Sequence, residues 1–169
     1  SNIIKAYHKR LFHKSKEIRE KFSILWLKWE NSLASMQKSI NNYTPPINYA
    51  LAFSRIENHY FFNKGFLGSD DYILSNAKKI DKIPGIIIQG RYDMVCPPNS
   101  ANKLKNVWPK SELKIIDFSG HAMSEPEISR ELIKATEKFK NYSLPANLHP
   151  STIALLASNS FAFFAPPII

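Results

Sequence analysis

The sequence predicts an α/β fold built on a parallel sheet. Two short apolar runs rich in β-branched residues, 86–89 and 112–118, have the composition of buried strands. Residues with helical spacing lie between these runs and after the second one. Strand and helix therefore alternate, as parallel β-α-β units require. Residues 3–62 show only helical periodicity, which predicts a helical region preceding the sheet.

Three helical segments are predicted before the first strand. Apolar residues recur at three- and four-residue steps over 3–40, without proline or glycine, so we expect one continuous helix there. A polar break that ends in proline, at 38–46, separates it from a second helix over about 47–62. Two glycines end that helix, and two aspartates are expected to cap a short one over 70–79.

Proline residues mark the helices of the second half. Two consecutive prolines introduce a helix over about 99–107. Trp108 ends this helix, because it precedes a proline and a residue in that position avoids the helical region. Pro126 starts a final helix over 127–140. Each predicted strand is therefore followed by a helix.

A polar motif follows each predicted strand. Asp93 ends the segment Gly90-Arg91-Tyr92-Asp93, and His121 follows Gly120. Sites in open α/β sheets lie at the carboxyl ends of the strands, so we expect these two side chains to be close together. Alone, each would be interpreted as an ordinary turn or capping residue. Their order is that of the last two triad members in α/β-hydrolases, which favours Asp93 as the acid and His121 as the general base.

The nucleophile of such a triad is missing from these residues. A nucleophile elbow has the pattern Gly-x-Ser-x-Gly, and no two of the five glycines bracket a serine or cysteine with that spacing. A His-Gly-Gly oxyanion loop is missing as well. We therefore expect the C-terminal part of an α/β-hydrolase, with 1–68 as a helical cap region and 69–140 as the C-terminal part of the core. Residues 141–169, which contain no Asp, Glu, Lys or Arg, are expected to be a tail of unknown origin.

Charge and cysteine content bear on partners and compartment. The net charge is +9, but the lysines are scattered at helical spacing, which is typical of a solvated helix face. We therefore expect no nucleic-acid partner; a basic binding protein remains a hypothesis supported by charge alone. The single cysteine fits a reducing cytoplasm. The basic start lacks the apolar segment of a signal peptide, and 153–169 is too interrupted to span a membrane, so we expect a cytoplasmic protein without a membrane partner.

Two glutamates in the helical region stand beside aromatic residues. Glu30 follows Trp26 and Trp29, and Glu57 precedes the run His-Tyr-Phe-Phe at 59–62. Carboxylates among aromatic rings suit a pocket for a cationic group. Solvent-facing glutamates beside core aromatics would give the same pattern, so the residues alone leave both interpretations open.

Several motifs resemble, in the same order, segments of the proline iminopeptidases, which are prolyl aminopeptidases with the α/β-hydrolase fold. In the helical region these motifs are Trp26-Leu27-Lys28-Trp29-Glu30 and Arg55-Ile56-Glu57-Asn58-His59-Tyr60-Phe61. In the predicted core they are Ile83-Pro84-Gly85, the segment 90–97, Trp108-Pro109 and the segment 120–126. The resemblance runs from about Ile4 to Lys140. Ala122 stands where the family often has serine, a departure that affects no assigned role.

The resemblance implies a serine peptidase that removes N-terminal proline from peptides with a free amino terminus. By position it implies Asp93 as the triad acid and His121 as the general base. It also implies that Glu57, with Glu30 as a second carboxylate, binds the substrate's α-amino group, and that Phe61 contacts the proline ring. No cofactor and no metal are implied.

Because the serine and the oxyanion loop are missing, we expect the chain alone to be inactive. A separate N-terminal half of the same enzyme is then a candidate partner besides the peptide substrate. The alternative hypothesis is a non-catalytic truncated remnant with no activity. Cys96 is expected near the site but not as the nucleophile, because the fold delivers that residue from an earlier strand.

Overall fold

A computed structural model of the chain describes residues 2–36 and 45–141. Within these ranges the helices are α1 (Ile3–Leu11), α2 (Lys16–Ala34), α3 (Ile47–Phe62), α4 (Tyr72–Asn76), α5 (Pro98–Val107) and α6 (Pro126–Phe139). The strands are β1 (Gly85–Gly90) and β2 (Ser111–Ile116), and 3-10 turns occur at Lys64–Phe66 and Ala77–Ile80. This mixed α/β content agrees with the predicted fold class. Most of the expected break at 38–46 and the expected tail lie outside the described residues.

The described residues form two compact units. The first consists of 2–33 and 45–67, and the second of 34–36 and 68–141. Helices α1 and α3 lie in the first unit, and the strands with α4, α5 and α6 lie in the second. None of the helices described here is long and apolar enough to cross a membrane.

Polar side chains join the helices of the first unit. Asn58 on α3 is completely buried; its amide nitrogen donates to the Ile4 carbonyl at 3.2 Å, and its oxygen accepts from His8 Nδ1 at 2.8 Å. These two bonds attach α1 to α3. The hydroxyl of Ser54 donates to the Ser23 carbonyl at 3.0 Å, and both serines are fully buried. Such small side chains allow α2 and α3 to approach closely.

The prediction of one continuous helix over 3–40 is wrong, because the chain breaks at 12–15. Ser15 causes the break: its hydroxyl accepts from the Ile18 N–H at 3.3 Å and so caps α2. The Arg19 guanidinium donates to two carbonyls of the break, at 2.8 and 2.9 Å, and satisfies groups that a continuous helix would have paired. A serine just before a helical run was the available signal in the sequence.

The second unit is built on two parallel strands linked by α5, as the alternation of elements predicts. β1 pairs with β2 from Gly85 opposite Ser111 to Gly90 opposite Ile116. The core beneath them consists of Ala77, Ile80, Ile83, Leu104 and Trp108. The Trp108 indole also donates to the Ile83 carbonyl at 2.8 Å. The strand β2 ends two residues before the predicted limit, because Phe118 adopts a left-handed conformation with a φ of 55° and turns the chain.

Candidate active site

The carboxylate of Asp93 is held by four hydrogen-bond donors just after the end of β1. Its Oδ1 accepts from the backbone N–H groups of Val95 at 2.9 Å and Cys96 at 2.7 Å. Its Oδ2 accepts from Gln89 Nε2 at 3.1 Å and from His121 Nδ1 at 2.9 Å. Asp93 is buried, so these donors replace the water that it loses. The orientation of the carboxylate toward the imidazole is therefore fixed.

The backbone of the histidine loop is also fixed. The Gly120 N–H donates to Glu125 Oε2 at 2.8 Å. The N–H groups of His121 and Ala122 both donate to the Ala34 carbonyl, at 2.8 and 2.7 Å. The backbone N–H groups of Gly120, His121 and Ala122 thus all have acceptors. This fixes the backbone position from which the His121 side chain extends.

The loops that carry the acid and the histidine continue the pairing of β1 with β2. The Arg91 N–H donates to the Ile116 carbonyl at 3.0 Å, and the Tyr92 N–H donates to the Ser119 carbonyl at 3.0 Å. The two chains therefore stay adjacent beyond the strands themselves. This explains how residues 28 positions apart come within hydrogen-bond distance.

The His121 imidazole has a strongly raised pKa. The hydrogen bond to Asp93 makes the largest contribution, the Cys96 thiol adds to it, and partial burial opposes both, so that the pKa rises from 6.5 to about 10. The imidazole is therefore protonated at neutral pH in this chain. With Nδ1 bonded to Asp93, Nε2 is the nitrogen with the geometry to exchange a proton with a nucleophile.

The two predicted carboxylates lie in the first unit. Glu57 on α3 and Glu30 on α2 are 7% and 6% exposed, so neither is a solvent-facing helix glutamate. Trp26 Nε1 donates to Glu57 Oε2 at 2.5 Å. The Trp26 ring lies 6.0 Å from the ring of Phe61, which is half-buried on α3. Buried carboxylates bordered by aromatic rings form the kind of surface that can receive a cation.

The structure thus brings together Asp93 and His121 in the second unit, and places Glu30, Glu57 and Phe61 in the first. The roles assigned to all five stay predictions. Gln89, which donates to Asp93, and Glu125, which accepts from the Gly120 N–H, were missed by the sequence analysis. Gln89 offered a signal, since it is a polar residue at the end of an apolar strand. Within 2–36 and 45–141 no group of three or more His, Cys, Asp or Glu is arranged to hold a metal ion.

Comparison with curated proteins finds that this chain is similar to proline iminopeptidases. The proline iminopeptidase of Arabidopsis thaliana is 46% identical over 142 residues, which are 83% of this chain and 37% of that protein. The probable proline iminopeptidase of Leptolyngbya boryana is 41% identical over 82% of this chain and 44% of its own length. The proline iminopeptidase of Xylella fastidiosa is 40% identical over 82% of this chain and 45% of its own length. No family model matches the chain. The chain thus spans less than half the length of these relatives and aligns with their C-terminal part.

Proposed function

We propose that this chain, which is similar to the C-terminal part of proline iminopeptidases, supplies the cap region and the C-terminal core of a serine aminopeptidase. Its substrates are peptides with a free N-terminal proline. The observation that carries the proposal is the 2.9 Å hydrogen bond between Asp93 and His121 at the carboxyl ends of two parallel strands. An acid and a histidine in this order and position are two of the three groups that acyl transfer requires.

In this proposal the serine comes from a polypeptide segment outside the 169 residues. Its hydroxyl attacks the carbonyl carbon of the N-terminal proline residue, and His121 Nε2 takes the hydroxyl proton. The imidazolium then gives that proton to the leaving amine as the bond to the next residue breaks. Asp93 holds Nδ1–H throughout and stabilises the imidazolium. In the second half of the reaction, water attacks the acyl carbon and His121 Nε2 takes its proton. The imidazolium returns that proton to the serine oxygen as the ester bond breaks and proline leaves.

A general base must be neutral before it takes a proton, whereas the pKa of His121 in this chain is about 10. The side chain is one third exposed here. A nucleophile segment packed against the imidazole would bury it further, and burial disfavours the charged form. We therefore infer that assembly of the complete site lowers the pKa of His121 toward neutrality.

The buried carboxylates explain why the proposed substrate has a free amino terminus. An ammonium group next to Glu57, with Glu30 as a second acid, forms charge-assisted contacts that an acylated terminus cannot form. Phe61 offers an apolar ring for the pyrrolidine.

The single cysteine of the chain supports a cytoplasmic location for this enzyme.

The test is a hybrid enzyme, in which this chain is joined to the N-terminal part of the Arabidopsis thaliana relative that it does not cover. We expect the hybrid to release proline from prolyl anilides and from short prolyl peptides. His121→Ala should reduce kcat by about 10³-fold or more, as loss of a triad member does. Arg130→Ala, which alters an exposed residue on α6, is the control and should leave the rate unchanged.

A second hybrid, reassembled from the two parts of the Arabidopsis thaliana protein itself, shows whether the joining point permits activity. If that protein turns over substrate and the folded hybrid with this chain does not, the proposal is wrong and the chain is a non-catalytic remnant.

A further inference from the structure

One buried carboxylate, that of Glu125, lies against the backbone of the Gly-His motif. Its Oε2 accepts from the Gly120 N–H at 2.8 Å, and its Oε1 accepts from the Met36 N–H at 2.9 Å. The hydroxyls of Ser35 and Ser119 also favour the ionised form of this carboxyl and lower its pKa. The residue is 5% exposed, so protein donors take the place of water around it.

A second connection runs between the same two segments in the opposite direction. The Ala34 carbonyl accepts from the N–H groups of both His121 and Ala122. Segment 34–36 therefore bonds to the histidine loop through the Ala34 carbonyl. The Glu125 side chain bonds to the same segment through the Met36 N–H. Little space remains between these groups, because a Cβ on Gly120 would lie 3.0 Å from the Ala34 oxygen and 3.2 Å from Glu125 Oε1.

The charge state of Glu125 depends on this arrangement. Burial by itself raises the pKa of the carboxyl, but the N–H groups of Gly120 and Met36 and the two serine hydroxyls outweigh it, and the pKa lies below its ordinary value. A buried carboxylate is tolerated only where such donors surround it. The ionised side chain and the observed loop conformation therefore stabilise each other.

We propose that Glu125 is a positioning residue for His121. Its carboxylate fixes the backbone at Gly120. The His121 side chain then extends from a position that places its Nδ1 within hydrogen-bond distance of Asp93 Oδ2. Glu125 accepts from the backbone N–H of Gly120, which directly precedes His121, and so acts through the histidine. The proposal rests on the proposed function in one respect, namely that His121 serves there as the general base.

The test replaces Glu125 by Gln in the full chain. Glutamine has the same size, but its amide nitrogen is a donor and must face one of the backbone N–H groups that the carboxylate now binds. The imidazole nitrogens of His121 are titrated by ¹⁵N NMR, and amide hydrogen exchange is measured at Gly120, His121 and Ala122. We expect the His121 pKa to fall by at least one unit and exchange at these amides to accelerate at least 10-fold.

Exchange at the paired amides of β1 should stay within about two-fold, because the Glu125 carboxylate accepts from the N–H groups of Gly120 and Met36, which lie outside that strand. Glu137→Gln is the matched control, since this exposed residue lies on α6 beside Lys140, and it should change neither measurement. If Glu125→Gln lowers the melting temperature but leaves the His121 pKa and local exchange as in the wild type, the residue is merely structural and the proposal is wrong.

Glu125→Asp is a second variant that tests the proposal if Glu125→Gln does not fold. It keeps the charge but is one methylene shorter, so it can reach only one of the two backbone donors, and a smaller change in the same direction is expected. Failure of this variant to fold would indicate a global role and contradict the proposal.

These measurements need no serine and no substrate, so their outcome is independent of whether the hybrid enzyme is active. In an active hybrid, Glu125→Gln should lower kcat about 10-fold and leave KM within two-fold. A change in KM alone would overturn the positioning role.

Discussion

Gly90 lies so close to Gly120 that a Cβ on Gly90 would come within 1.9 Å of the Gly120 carbonyl oxygen. The Ser119 carbonyl oxygen would be 2.6 Å away. Both obstacles are backbone atoms, which cannot rotate aside as the end of a side chain can. The strand that leads to Asp93 and the loop that carries His121 therefore approach each other only because position 90 has no side chain.

Gly90→Ala should consequently separate these two segments. We expect a loss of about 1–3 kcal/mol in the free energy of unfolding, as overpacking typically costs, together with a fall in the His121 pKa. Urea denaturation and NMR titration would measure the two effects. Gly68→Ala is the control, since a Cβ there meets nothing within 4 Å, and it should change stability by less than about 0.5 kcal/mol. Equal losses in the two variants would contradict this account of Gly90.

The raised pKa of His121 predicts how stability changes with pH. The folded-state pKa of about 10 lies above the ordinary value of 6.5, so the contribution is fully present below pH 6.5 and is lost as the pH rises to about 10. The slope cannot exceed about 1.4 kcal/mol per pH unit, and solvent screening at this partly exposed ring reduces it.

Unfolding of the wild type and of His121→Gln, measured from pH 6 to pH 10.5, tests this prediction. The two stability curves should converge as the pH rises. Curves that stay parallel would show that the histidine titrates normally in the folded chain.

The proximity of Asp93 and His121 could be predicted from the sequence, because the apolar runs before them are short and parallel strands end at one edge of a sheet. The residues that hydrogen-bond to this pair and its loops could not be predicted from the sequence. Glu125 meets the N–H of Met36, which lies 89 residues away, and no periodicity of the sequence connects the two. Glu57 and Trp26 are 31 residues apart on different helices, so their hydrogen bond also depends on tertiary packing. The break at 12–15 was missed for another reason: a serine cap is a weak signal beside strong helical periodicity.

The bond between Trp26 and Glu57 should contribute measurably to stability. Trp26→Phe keeps an aromatic ring but removes the indole donor, so the buried carboxylate has one partner fewer. Hydrogen bonds to charged groups contribute about 1.5–3 kcal/mol, and we expect a loss of that order in the free energy of unfolding. Trp29→Phe alters a half-exposed residue on the same helix and should cost clearly less. Similar losses in both variants would show that ring packing, and not the hydrogen bond, matters at position 26.

The 169-residue chain by itself should show no detectable turnover of prolyl anilides. It contributes an acid and a histidine, but no nucleophile elbow and no oxyanion loop occur in its sequence. The assay uses purified chain at concentrations where the hybrid enzyme is readily measured. Turnover that disappears on His121→Ala would show that the chain contains a nucleophile of its own.

The proposed amine pocket is tested most directly by Glu57→Gln in the hybrid enzyme. Losing one buried partner of an ammonium group costs on the order of 2–5 kcal/mol, so kcat/KM for a substrate with N-terminal proline should fall by roughly 30-fold or more. A simple neutral ester, which has no ammonium group, should be hydrolysed at nearly the original rate.

Glu30→Gln should show the same selectivity with a smaller loss, because Glu30 is proposed as the second of the two carboxylates. The comparison between substrates separates binding from folding, since a general defect would slow both reactions equally. An equal fall for the amine substrate and the ester would make Glu57 a structural residue, and the proposed recognition of a free amino terminus would then lose its support within this chain.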